Sequence, residues 1–578
     1  MSWNLTRYAE QRLAREITLL RSPRGGDVRV ALGYPNSYHV GMSNLGLQVV
    51  YGLLNQTPGV SCERFFLPDP PELAAYRSGG RRLMTLETQQ AVGSFDLVAF
   101  SCAYENDYVH LLQILELAGI PLLASERDER HPLVCVGGAI TLLNPEPIAD
   151  FVDFFCVGEA EGLVDDMVDG LRASVKLPRQ ERLESLARIP GLYVPSLYTP
   201  IYGDDRLQEL RPLGDAPVQI AKNYLAREDF VEKRTASWIM TPDTEFANSY
   251  LIEVSRGCPY ICRFCTVGFS YPKVRWTPLE RIWESIESVA SHKPRVGLIS
   301  ATIGNHPEID ALCRKLMEAR ISVSFSSLRA DRLPDSIVEA MVAGGTQSMT
   351  LAPETGSEDL RRSINKRFTD EEYFEASRRA LRLGIKNIKM YSMVGLPNEE
   401  DPDMEALVSL VQKTRKIQID EGRSGGRITL SLGLFVPKPL TPYQWNAMAR
   451  LELAESRMQR VLKGLSGLAG VKVNHETPKT ALIEGLLSRA DRRMGRVLLR
   501  VYQKPSFKAW EKALQAEGMS FEQELYRQRG PDEMLPWAHI ASSWPKERLL
   551  RDSVRARDQR YGVKGGPLEG AIGESRSS

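Results

Sequence analysis

Between residues 249 and 437 the chain alternates strand-length apolar runs with helix-length stretches six times, and this period constrains the fold more than any single motif. The runs are Tyr250-Leu251-Ile252-Glu253-Val254 and residues 296–300, 321–326, 348–353, 387–394 and 428–436. Continuous apolar runs joined by helical crossovers predict a parallel sheet covered by helices. Thr277-Pro278-Leu279-Glu280 and Thr369-Asp370-Glu371-Glu372 read as capping boxes that open helices to about His292 and Leu383. A complete barrel needs eight such units and about 250 residues. Six units in this length predict a partial, open (β/α)6 barrel, with chemistry at the carboxyl ends of its strands.

The first run leads directly into Ser255-Arg256-Gly257-Cys258-Pro259-Tyr260-Ile261-Cys262-Arg263-Phe264-Cys265, a C-x3-C-x2-C spacing. Thiolates are soft ligands that suit iron–sulfur clusters or zinc. Three close cysteines hold three irons of a [4Fe-4S] cluster and leave the fourth open. A zinc knuckle completed by a distant His or Cys is the other reading, but no CxxC or HxxxH partner pair stands elsewhere in the sequence. Eight cysteines in 578 residues are too sparse for a disulfide framework.

Cys258, Cys262 and Cys265, with the aromatic Phe264 just before the third cysteine, resemble the signature of the radical SAM superfamily. The resemblance implies a [4Fe-4S] cluster whose open iron is chelated by S-adenosylmethionine (SAM). It also implies one-electron cleavage to a 5'-deoxyadenosyl radical, fed by a donor such as flavodoxin or ferredoxin. Phe264 is then expected near the adenine. Glu354, in Ala352-Pro353-Glu354-Thr355-Gly356-Ser357, matches the fourth-strand carboxylate that contacts SAM. Val394 and Gly395, in Met393-Val394-Gly395-Leu396-Pro397, match the fifth-strand segment against the adenine. Ser326 and Arg329 fall at the third strand end, towards the ribose or carboxylate of SAM. The second-strand segment, usually Gly-Gly-Glu, is here Ser300-Ala301-Thr302-Ile303-Gly304 and departs from the pattern.

Ahead of this core, apolar runs at residues 28–33, 95–100, 133–136 and 152–157 alternate with helices at residues 45–54 and 108–118. They predict a doubly wound, Rossmann-like parallel sheet with ligands off the strand carboxyl ends. Glycines at those ends permit close backbone approach. Val136-Gly137-Gly138 and Val157-Gly158-Glu159-Ala160-Glu161 resemble the cobalamin-binding domain that precedes many radical SAM cores, which makes cobalamin a candidate cofactor. The cobalt-ligating pattern Asp-x-His-x-x-Gly is not matched: around His39, Ser37 replaces Asp and Gly41 comes one place early. Cys135 and Cys156 lie within buried runs and read as small hydrophobes. A second cluster would need Cys62 and Cys102 to converge with another cysteine.

The expected organisation is an N-terminal amphipathic helix (1–24), the Rossmann-like domain (25–189), a connector with short strands (190–247), the core (248–445), a mainly helical region (446–560) and a disordered tail (561–578). Arg489, Arg492, Arg493, Arg496 and Arg500 recur at mostly helical spacing and read as an ion-paired or solvated face. Net charge is +1, which gives no support for an RNA partner. No apolar run spans a bilayer and no export signal opens the chain, so the expected location is the cytoplasm.

Leu434-Phe435-Val436-Pro437-Lys438-Pro439 and Gly33-Tyr34-Pro35-Asn36-Ser37-Tyr38 resemble a group of radical SAM proteins with a fused N-terminal domain and no settled reaction. The expected activity is therefore SAM cleavage and hydrogen abstraction from an unassigned substrate, extended to methyl transfer if cobalamin binds. The residues leave two alternatives: methylthiotransferase-like modification of RNA or protein, and a non-enzymatic metal-binding scaffold. No catalytic acid, base or radical relay is assigned.

Overall fold

The computed structural model describes residues 2–20, 25–271, 273–326 and 328–561. The expected disordered tail falls, from residue 562 onward, outside the described residues. The chain opens with a helix at Ser2–Leu13. The amphipathic reading carried this helix to residue 20. Instead Ile17 and Thr18 turn into a short strand paired antiparallel with Met240 and Ile239.

Six strands form the N-terminal sheet: β1 (Val28–Tyr34), β2 (Val60–Phe66), β3 (Leu97–Ser101), β4 (Leu133–Gly137), β5 (Phe154–Cys156) and β6 (Leu192–Tyr193). Their order is β2-β1-β3-β4-β5-β6, parallel except for β6. Val30, Leu97, Val98, Leu133 and Val134 are fully buried, each stabilising the sheet by about 1.5–3 kcal/mol. Two of these strands escape the sequence pattern. In β2 the charged pair Glu63 and Arg64 breaks the apolar run, yet Arg64 is buried because Glu16 and Glu87 both pair with it at 2.7 Å. β6 sits in what the sequence presents as connector, and joins the sheet as its antiparallel edge. The order 2-1-3 creates a switch point between β1 and β3, where such sheets bind ligands.

The core has seven parallel strands, one more than the sequence period shows. They are β7 (Ser249–Glu253), β8 (Arg295–Ile299), β9 (Val323–Phe325), β10 (Ser348–Glu354), β11 (Asn387–Val394), β12 (Ile428–Leu434) and β13 (Val471–His475). β7-β8-β9 and β10-β11-β12-β13 form two sheets, joined by a parallel bridge between Leu328 and Leu351. β13 comes from the region expected to be helical. The capping box at Thr369 forms as expected and opens the helix Asp370–Leu383. The one at Thr277 does not. Its hydroxyl donates to the Glu253 carbonyl, and the free Leu279 N–H is taken by the Glu308 carboxylate at 3.0 Å.

The expected arginine face is ion-paired. Arg492 meets Glu146 of the N-terminal region at 3.0 Å, Arg493 meets Asp491 at 2.8 Å, and Arg496 and Arg500 share Glu517. Arg489 departs from that reading, being fully buried behind the helix with its Nη1 on the Gln444 carbonyl. Among the described residues, no helix is long and apolar enough to cross a membrane.

Candidate active site

The site is built from the end of β7. After Glu253, Ser255 and Arg256 pair antiparallel with Trp276 and Arg275. This short ladder closes the base of a loop that carries all three cysteines. Gly257 sits at φ +91°, and a Cβ there would lie 3.0 Å from the Lys273 carbonyl, so the turn into Cys258 requires glycine.

The far side of the loop rests on residues 361–366. The Arg263 N–H donates to the Ile364 carbonyl, and Asn365 Nδ2 donates to the Ile261 carbonyl at 3.0 Å. Arg263, between the second and third cysteines, is fully buried. Its guanidinium donates to the Ser363 carbonyl at 2.5 Å, Gln559 at 2.8 Å and Asp552 at 3.0 Å. Phe264 packs with Met393 on a cluster that includes Ile364, Leu396 and Phe435.

Charged groups of both signs surround the cysteines. Lys366 Nζ donates to Glu354 at 2.7 Å, and Glu354 holds φ +66°, a strained value for a carboxylate residue. The Arg329 guanidinium stacks 3.7 Å over the Tyr260 ring, pairs with Asp331 at 3.0 Å and places Nη1 3.9 Å from Cys262 Sγ. Burial pushes the Cys258 and Cys262 thiols up, and pushes Cys265 up to about 12. Lys366 and Arg329 work in the opposite direction on Cys262. Metal loading must therefore displace thiol protons.

The remaining expected residues are less directly placed. Ser326 Oγ is spent as a donor on the Ser300 carbonyl at 2.6 Å. The Val394 side chain is fully buried in the core, so only its backbone faces the strand end. Gly395 holds φ +82°, and its N–H donates to Glu399 at 2.6 Å. Burial raises Glu399 to about 7, while Arg457 at 2.8 Å draws it back. Lys366, Tyr260, Arg263 and Glu399 all support the site, and the sequence reading gave none of them a role. Arg263, Tyr260 and Glu399 meet Asp552, Arg329 and Arg457 far along the chain, and the nearer contacts of Lys366 with Glu354 and of Glu399 with Gly395 follow no recurrent spacing.

The root of the cysteine loop is clamped to the N-terminal sheet. Arg256 Nη2 lies 2.6 Å from Glu161 and 2.6 Å from Glu253, and Arg275 pairs with Glu159 through two contacts, one at 2.8 Å. Beside this network is a cavity of about 430 Å³. Its floor is the carboxyl ends of β1, β3, β4 and β5, including Ser101, Gly137 and Cys156. Its roof is Glu253, Arg256 and Tyr271 of the core.

Gly138 and Gly158 line this cavity, as expected for strand-end glycines, and the protein's own packing also requires them. A Cβ would lie 2.4 Å from the Cys102 carbonyl at Gly138 and 2.3 Å from the Asn223 carbonyl at Gly158. His39 lies on the helix Tyr38–Met42, half-exposed beside Glu245, and does not line the cavity. Cys62 and Cys102 are buried apart from the Cys135–Cys156 pair, whose sulfurs are 3.6 Å apart. Among the described residues, no three His, Cys, Asp or Glu side chains converge to hold a single ion.

A three-cysteine loop at the head of a parallel-stranded core defines the class: this is a radical SAM enzyme, and its reaction is unassigned. The chain belongs to the radical SAM superfamily. The family model described as "Radical SAM superfamily" matches residues 252–411, and that of "Radical SAM proteins, N-terminal" matches residues 46–195. An uncharacterized protein of Methanocaldococcus jannaschii is 26% identical over 474 residues, covering 81% of this chain and 90% of that one.

A tRNA-2-methylthio-N(6)-dimethylallyladenosine synthase of Wolbachia sp. subsp. Brugia malayi is 25% identical over 30% of this chain and 42% of its own length. Among solved structures, the cobalamin-dependent SAM radical enzyme OxsB with aqua-cobalamin and SAM bound is similar at a TM-score of 0.48 and 13% identity. That match covers 94% of this chain and 82% of OxsB. The radical SAM methyltransferase TsrM from Kitasatospora setae, with cobalamin and a [4Fe-4S] cluster bound, is similar at a TM-score of 0.46 and 13% identity, over 85% of this chain and 98% of TsrM.

Proposed function

We propose that this protein cleaves SAM reductively at a [4Fe-4S] cluster held by Cys258, Cys262 and Cys265, and abstracts hydrogen from an organic substrate. The observation that carries the reading is the pairing of charges around the cysteines. The methionine end of SAM is a zwitterion and needs both signs of charge beside it. Arg329 and Lys366 supply cations, and Glu354 supplies a carboxylate, all within electrostatic reach of Cys262. Reduced cluster and bound SAM together would supply a 5'-deoxyadenosyl radical. The chain's residues do the rest. Asp331 and Tyr260 fix the Arg329 guanidinium, Lys366 fixes Glu354, and Glu399 fixes the Gly395 N–H. Phe264 and Met393 give the adenine an apolar wall.

The test is 5'-deoxyadenosine production by anaerobically reconstituted protein given SAM and dithionite, with Cys262→Ala as control. The expected result is product from the parent protein and none from the variant. Zinc in place of iron, or equal product from both, would overturn the reading.

A second reading concerns the cavity on the N-terminal sheet. Its volume falls in the range of cofactor and small-molecule sites, and it lies against the root of the cysteine loop. We propose that it is the cobalamin site if this chain carries one, with the cobalt left without a ligand from His39. Corrinoid absorbance after reconstitution with hydroxocobalamin, lost in Gly137→Trp, would support methyl transfer. Its absence would leave hydrogen abstraction alone.

A further inference from the structure

The core sheet presents two faces of opposite character. Met349, Leu351, Ile388, Met390, Leu430 and Leu432 alternate along β10, β11 and β12 and are almost wholly buried under the flanking helices. The residues between them point the other way. Register aligns Thr350, Lys389, Thr429 and Lys472 in one row across β10–β13. Tyr391, Ser431 and Asn474 form the next row, and Met393 with Gly433 the row after that, towards the carboxyl ends.

This face is open: Lys389, Tyr391, Lys472 and Asn474 are exposed, and Tyr391 retains 45% of its surface. Among the described residues, none of the side chains in the two lower rows has a hydrogen bond or ion pair in the protein. Its charge is also one-sided. The seven strands contain two carboxylates, Glu253 and Glu354. Both stand at strand ends, and both are already paired, with Arg256 and Lys366.

We infer that this face binds the substrate and that the substrate is a small molecule carrying a phosphate or carboxylate group, held by Lys389 and Lys472. The inference rests on the SAM-cleaving reading above, which places the radical at the strand ends. Two unpaired lysines alternate with the hydroxyls of Thr350 and Thr429 in one row, and neither carboxylate of the strands is free to compete, which is an arrangement complementary to an anion. Their strands lie two apart, so the two Cα atoms are about 9–10 Å from each other, and long flexible side chains close on one anionic group across that span.

Met393, four residues above Lys389 on the same strand face, packs on the same apolar cluster as Phe264 of the cysteine loop. At about 3.3 Å per residue, the Lys389 Cα lies about 13 Å below that of Met393, and the lysine side chain can span part of that distance. The substrate must be extended enough to bridge the remainder, with its reacting carbon at the far end from its charge.

The test uses reconstituted full-length protein and inorganic pyrophosphate as probe, measured by titration calorimetry. Lys389→Ala and Lys472→Ala should each weaken pyrophosphate binding about tenfold, or about 1.4 kcal/mol. The double alanine variant should abolish binding, and Lys389→Arg with Lys472→Arg should restore it. SAM affinity, measured on the same samples, reports that every variant is folded. Pyrophosphate binding that survives in a folded double alanine variant would overturn the assignment. A single-stranded RNA that outcompetes pyrophosphate on the parent protein, with the same lysine dependence, would also overturn it in favour of a macromolecular polyanion. Failure of the parent protein to make 5'-deoxyadenosine would fall on the SAM-cleaving reading, whereas the lysine dependence bears on the anion site alone.

Discussion

Lys366 shows how a single side chain organises this site. It is 6% exposed, Glu354 is 13% exposed, and each is the other's counter-ion. Removing one partner of such a pair strands the other charge at a cost of about 3–5 kcal/mol. Lys366→Met should therefore let Glu354 leave its strained position and weaken SAM binding by about tenfold or more, while Lys366→Arg retains part of it. Equilibrium dialysis with labelled SAM checks this, and parent-like affinity in the methionine variant would contradict it. His539 is the corresponding residue for stability. Burial drives its pKa down to about 4, with Arg492 acting in the same direction and Glu146, 3.6 Å away, opposing it. A depressed histidine binds fewer protons folded than unfolded. Its contribution is thus intact above its ordinary value of 6.5 and is lost as pH falls towards 4. Between about pH 7.5 and pH 5.5 this amounts to about 1.4 kcal/mol. Unfolding free energies from urea titrations should fall by about that amount over the range, and His539→Gln should flatten the difference.

At the scale of elements, the helix Lys546–Tyr561 acts as a clamp on the cysteine loop. Leu549 and Ala556 bury its inner side, Asp552 and Gln559 hold Arg263, and Arg560 holds Asp403 at 2.9 Å. A chain ending at residue 545 should leave Arg263 buried without its carboxylate, lose iron per chain on reconstitution and surrender the remainder faster to a chelator. Cluster content equal to the parent would show that the loop holds itself. Nothing in the sequence joins Arg263 to Asp552, 289 residues away. Local signals fared better. The helix at residues 108–118 and the strand at residues 387–394 have the bounds the apolar pattern gives. β13 did not show itself, because it is an edge strand whose Lys472 and Asn474 face solvent between two strongly helical stretches. Likewise the cysteines, Glu354 and Gly395 stood out by motif, whereas Lys366 and Glu399 acquire a role only when the chain folds back on itself.

At the scale of the molecule, the N-terminal sheet and the core meet through buried ion pairs, and one network of them is anchored two residues before the first cysteine. Arg256 is buried with Glu159, Glu161 and Glu253, and Arg275 completes the set against Glu159. A buried network of this kind adds little net stability over apolar packing, but it is costly to break on one side. It therefore fixes how the two halves sit and ties the cavity floor to the loop root. Arg256→Met should destabilise the protein by about 3–5 kcal/mol and lower iron loading. Glu161→Gln alone should cost less, because Glu253 and Glu159 still engage the guanidinium. A double-mutant cycle between the two changes, read from urea midpoints and from iron per chain, should give a coupling of at least about 1.5 kcal/mol. Additivity in both readouts would mean that the sheet and the cysteine loop are adjacent without being linked, and an occupant of the cavity would then have no route through Arg256 to the cluster.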